Sequence, residues 1–129
     1  MKGLFDIDPE ERFPLDNDEV RVLGIVQTHR GKNAAIKGEE IARILGLDVR
    51  YVRDIIKRLV EDHHYRIGAL PDCGYFMIQT AREAIEVCEN LKHRAMSILK
   101  RMSVLKKVHL KELLGQLSLE IENEQEFSN

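Results

Sequence analysis

Apolar residues recur along this chain at spacings that predict helices over most of its length. Val22, Leu23 and Val26, with Ile25 beside them, form the first stripe, and Asp16 or Asn17 stands before it as an N-cap. Asp18 and Glu19 suit the positive end of that helix, and Gly31 is expected to end it after Arg30. Ile36 leaves room for only a brief extended segment. A two-turn helix over 38–45 turns Ile41, Ala42 and Leu45 inward and stops at Gly46. Asp48 then caps a third helix, 49 to about 62, which buries Val52, Ile55 or Ile56, and Leu59 at helical spacing. Residues 65–67 and 75–78 are aromatic and β-branched around a Gly/Pro/Asp loop, the pattern of a hairpin. Thr80-Ala81-Arg82-Glu83 is a capping box that opens a long helix. Along it Ala84, Cys88, Leu91, Ala95, Ile98, Met102 and Leu105 step by four and three, a heptad seam held for about three repeats. The seam breaks near His109. Leu110, Leu114, Leu117 and Ile121 form a second stripe on a shorter helix before a polar tail.

Helix, short strand, helix, tight Gly turn, helix, hairpin is the element order of a winged helix-turn-helix. The predicted fold is therefore mostly α with a small β-hairpin wing, extended by a long C-terminal coiled-coil-like helical segment. Its organisation is an acidic arm at 1–17, the winged domain at 18–79, a helical dimerisation extension at 80–121 and an acidic tail at 122–129. In such a fold Ala42 is small where the first two helices of the motif meet, and Gly46 permits the tight turn. The outer face of the 49–62 helix is left free to enter a major groove.

Charge sharpens this. The chain carries 20 Lys+Arg against 22 Asp+Glu, a near-neutral balance that by itself argues against a polyanion partner. Divided along the chain, the figure separates. Residues 1–20 carry −5, residues 112–129 carry −5, and the middle, with 18 bases against 10 acids, carries +8. From Lys92 to Lys111 there are seven bases and no acid. A basic centre between acidic ends points to a polyanion facing the middle.

Several strings resemble the winged helix-turn-helix proteins of phages and prophages: residues 31–42 with Leu45-Gly46-Leu47, residues 50–59, Tyr65-Arg66-Ile67-Gly68 with Gly74-Tyr75-Phe76, and Leu91-Lys92-His93-Arg94-Ala95. The resemblance covers roughly residues 18–107. It implies duplex DNA binding in a regulatory or replication-associated role, with Arg50 and Arg53 at the DNA, and it implies no reaction. Two positions depart from the pattern: His63-His64 stands where the turn usually carries Gly, and Arg66 where Pro is common. His64 is expected to take a positive φ.

The expected roles follow from position. Arg50, Tyr51 and Arg53 lie in the N-terminal half of the third helix, where base edges are read. Lys37, Lys57 and Arg66 are placed to hold phosphates. Arg58 sits nearer the buried side and is expected to form a boundary salt bridge. The wing tip, 70–73, carries no base, so it is not expected to read the minor groove. The seam is expected to pair two copies in a homodimer, which would match two half-sites to a two-fold axis. The rival class is a protein-interaction adaptor that uses the winged helix without DNA.

Other chemistry is weakly represented. Asp62, His63, His64, Asp72 and Cys73 lack metal-ligand spacing, so neither a metal nor another cofactor is expected. Cys88 falls on the seam and reads as a small buried hydrophobe. No nucleophile elbow, triad or phosphate loop is present, so no enzymatic activity is expected. No stretch approaches a membrane span and no leader pattern opens the chain, so a cytoplasmic protein with reduced thiols is the expectation.

Overall fold

The computed structural model describes residues 14–128, with side chains described as far as Glu124, so the expected N-terminal arm lies almost wholly outside the described residues. The helices are α1 (Asn17–Val26), α2 (Gly38–Leu45), α3 (Val49–Glu61), α4 (Ala81–Lys106) and α5 (Leu110–Ser128). A single 3₁₀ turn at Lys32–Ala34 joins α1 to α2, and strands β1 (Ile67–Leu70) and β2 (Gly74–Met77) form an antiparallel hairpin between α3 and α4. The chain is thus mostly helical with one small two-stranded sheet. It divides into two compact units: one holds the described residues up to Asn90, the other begins at Leu91.

The first unit is built around Val22 and Val26 of α1, Ile41 and Ala42 of α2, and Val52, Ile55, Ile56 and Leu59 of α3, all buried. Asp16 caps α1 through a reciprocal box: its carboxylate accepts from Glu19 N, and the Glu19 carboxylate accepts from Asp16 N. Asp48 caps α3 by accepting from Arg50 N. Between α2 and α3 the chain turns at Gly46, whose φ is 67°. His64 takes φ 62°, the turn expected of it.

Several boundaries differ from expectation, each for a visible reason. α1 ends at Val26, four residues before Arg30. Thr28 N and His29 N donate back to Ile25 O and Val26 O in a tight turn, and Arg30 then bridges to Met77 at the hairpin's edge. Ile36 does form the brief extended segment, exchanging two backbone hydrogen bonds with Tyr75 at 2.9 and 2.7 Å. The hairpin pairs Ile67 with Met77 through Leu70 with Gly74, so Gly68 and Ala69 belong to a strand and not to the loop. Gly68 is there because the sheet is approached closely. A Cβ on it would lie 2.9 Å from Val87 Cγ2 and 3.0 Å from Phe76 Cζ.

That approach also ties α4 to the hairpin. Val87, inside α4, is buried with Leu70 and Phe76, and the first unit runs on to Asn90. The start of α4 is clamped as the capping box predicts, with Thr80 Oγ1 accepting from Glu83 N. Glu83 then does more than cap. Its carboxylate accepts from Gln79 N (2.8 Å), Thr80 N (3.2 Å) and, from the 3₁₀ turn, Lys32 N (2.7 Å). Lys32 Nζ also meets Glu86 at 2.6 Å.

The backbone donor of Lys32, then those of Gln79 and Thr80, hold the Glu83 carboxyl below the usual carboxylate range. A depressed folded pKa contributes stability above the unfolded pKa and loses it as pH falls through the folded value. In thermal melts, Glu83→Ala should therefore lie furthest below the parent near neutral pH, with the gap closing at acid pH. A gap independent of pH would contradict this.

In the second unit α4 ends at Lys106, followed by Lys107 at φ 57°. α5 continues to Ser128, so the segment expected to be a polar tail is helical. Its Glu, Asn and Gln residues continue a helix without Gly or Pro to break it. The buried residue of α5 is Leu113, which the expected stripe left out, while Leu114 and Ile121 stay exposed.

Candidate functional site

α3 turns Val52, Ile55, Ile56 and Leu59 to the core, which leaves Arg50, Arg53, Asp54, Lys57 and Glu61 on the solvent side. Arg50, the second residue of α3, is exposed, and among the described residues no acidic side chain pairs with it. Arg53 is exposed too, but its guanidinium reaches across to α2 and meets Glu39 Oε1 at 2.9 Å. Gly38 makes this crossing close. A Cβ there would lie 3.8 Å from Val49, 4.0 Å from Arg53 Nε and 3.2 Å from the Tyr75 ring. The neighbouring Lys37, the N-cap residue of α2, is exposed, so Lys37, Arg50 and Arg53 sit around one end of α3.

Tyr51 is half-buried: its hydroxyl donates to Asp18 Oδ2 at 2.9 Å and its ring packs against the core cluster on the side of α1. A step of one residue turns a helix by about 100°, which separates Tyr51 from Arg50. The hydrogen bond to Asp18 raises the phenol's pKa and keeps it protonated as a donor.

Lys57 lies further along α3, in a shallow open depression with Asp54, Arg58, Glu61 and Asp62. Three acids, Asp54, Glu61 and Asp62, stand around Lys57 and Arg58 there. Arg66 is exposed and follows the other end of α3, where Tyr65 N donates to Leu59 O.

Behind α3, α1 holds both ends of it. Asp18 takes Tyr51 near the N-terminus, and Glu19 meets the C-terminal end through His63 Nε2 (3.0 Å) and Arg58 Nε (3.5 Å). Arg58 also approaches Asp16 at 3.7 Å, the boundary role expected of it. Glu19 and His63 are each about 5% exposed, a buried acid and imidazole that sequence reasoning missed as a pair. The signal for Glu19 was present, because Asp16-x-x-Glu19 is itself a capping box. Nothing in the sequence tied His63 to it across 44 positions.

The seam positions are not buried in the single chain. Cys88, Leu91, Ala95, Ile98 and Leu105 are exposed, while Ala84 and Met102 are half-buried. Cys88 was expected inside. The inward position at this level is Val87, one residue and about 100° away, because the hairpin sets which side of α4 is covered. Among the described residues no three His, Cys, Asp or Glu side chains are grouped as a metal would require. Nor is any described helix long and apolar enough to cross a membrane. Comparison with protein-family models, curated proteins and solved structures returned no match.

Proposed function

We propose that this chain is a winged helix-turn-helix protein that binds double-stranded DNA through the first half of α3. Within that class its role is regulatory or replication-associated, of the kind seen in phage-type proteins. One observation carries the reading: Arg50 and Arg53 stand exposed on the outer face of α3, beside Lys37, while α1 grips that helix from behind. A helix held at both ends with cations on its free face suits insertion in a major groove, where Arg pairs bidentately with guanine. Arg50 and Arg53 read bases; Lys37 and Lys57 hold phosphates, with Arg66 a separate phosphate contact beyond the far end of the helix. Two copies together present two reading helices to one duplex.

The exposed Arg53–Glu39 pair implies a cost at binding, since Glu39 competes with the DNA for the guanidinium. Arg53→Ala is expected to cost about 1–3 kcal/mol at the preferred sequence and to relax base preference. Lys57→Ala should weaken all duplexes alike, and Glu39→Gln should tighten binding by freeing Arg53. Fluorescence anisotropy on duplexes selected from a random pool measures all three. Unchanged binding in both Arg53→Ala and Lys57→Ala contradicts the assignment.

A protein-adaptor reading draws on Asp54, Glu61 and Asp62, which stand among Lys57 and Arg58 on α3 and at its end as a mixed-charge surface. It predicts no duplex binding even at low salt.

A further inference from the structure

The stripe on α4 is open, and its borders say what fits it. Leu91, Ile98 and Leu105 are 52%, 54% and 77% exposed, a run of large apolar side chains at heptad spacing left open among the described residues. Arg94 and Arg101 stand one residue before seam residues Ala95 and Met102. Lys92 and Lys106 stand one residue after Leu91 and Leu105. Both edges of the stripe are therefore basic.

This pattern opposes pairing of α4 with α4 of a second copy. In a parallel pair Arg101 would face Lys106 of the partner subunit; in an antiparallel pair Arg would face Arg and Lys would face Lys. Like charges at those positions are destabilising. The complementary surface is on α5. Leu114 and Ile121 are each 40% exposed, with half-buried Leu117 between them, again at steps of three and four. Glu120 and Glu122 stand on either side of Ile121 at the far end of that stripe.

We propose that the two stripes meet between copies: α4 of one chain lies against α5 of a second, reciprocally, giving a four-helix dimer in which basic α4 alternates with acidic α5. Such a two-fold contact uses the same pair of surfaces twice and leaves neither stripe open. It rests on the two-copy part of the function proposed above and deepens it by naming the surfaces.

Sedimentation equilibrium of the full chain without DNA tests the proposal, with circular dichroism to check helicity of each variant. The parent should be a dimer. Arg94→Glu with Arg101→Glu should weaken dimerisation by about ten-fold or more, since each reversal acts twice across the two-fold axis. Glu120→Lys with Glu122→Lys should weaken it as well, and the four changes together should restore much of the loss. A reversal on α4 that tightens the dimer or leaves it unchanged overturns the α4–α5 contact while leaving the two-copy reading intact, since a parallel α4–α4 pair predicts tightening and an antiparallel one little change. A parent that stays monomeric at the highest concentrations overturns both.

Discussion

Replacing Glu19 by alanine is expected to lower the stability of the first unit by about 2–4 kcal/mol, from the loss of a helix cap and of a buried hydrogen-bond partner. Glu19 is nearly inaccessible, and its carboxylate serves three groups at once: Asp16 N, His63 Nε2 and Arg58 Nε. Its loss ends the capping box of α1 and leaves the buried His63 ring without that partner. His63 Nδ1 already has no hydrogen-bond partner among the described residues, so the imidazole has no second contact to fall back on. Glu19→Gln keeps the shape and one acceptor oxygen, and should cost clearly less than the alanine. Urea titration of both variants measures the difference. Equal, small losses of under about 1 kcal/mol, the range of a surface pair, would contradict the account.

Gly74→Ala is the second large effect. Gly74 has φ 108°, and a Cβ on it would lie 2.4 Å from Ile36 O and 2.7 Å from Ile36 C. Those are backbone atoms, and Ile36 O is the acceptor for Tyr75 N at 2.7 Å. An added methyl therefore forces apart the pairing that ties the chain just before α2 to the hairpin, and the left-handed backbone adds strain. We expect a loss of about 3 kcal/mol or more, equivalent to a fall in Tm on the order of 15 °C. Gly24→Ala is the matched control. Gly24 lies inside α1 with open space around its missing Cβ, so alanine there should be neutral or mildly stabilising. A thermal melt in which both variants behave alike would refute the steric argument.

These positions also mark how far the sequence carried. The helices were legible because their apolar stripes and caps agree. Gly46 and Asp48 bound the turn, and Val52, Ile55, Ile56 and Leu59 face one way whichever neighbour receives them. What periodicity does not carry is the partner of each face. Gly68 reads as a loop glycine and is a strand residue, because the reason for it is Val87, a contact set by tertiary packing. The same contact turns Cys88 outward.

The site shows the same division. Arg50 and Arg53 are on the solvent face, as helical spacing from Val52 dictates. Tyr51, next to Arg50 in sequence, is half-buried, and its 2.9 Å hydrogen bond to Asp18 draws its hydroxyl toward α1. Glu39 as the partner of Arg53 crosses from one helix to another, which no pattern within either helix encodes.

The central claim, that the free face of α3 meets duplex DNA, is tested most directly by titrating salt against binding to random-sequence duplex. Contacts from Lys37, Lys57 and Arg66 to phosphates predict that log K falls with log salt at a slope of about −3 for each bound copy. Measurable affinity at low ionic strength that declines with that slope is the expected result. No detectable binding at low salt, or binding indifferent to salt, would contradict it.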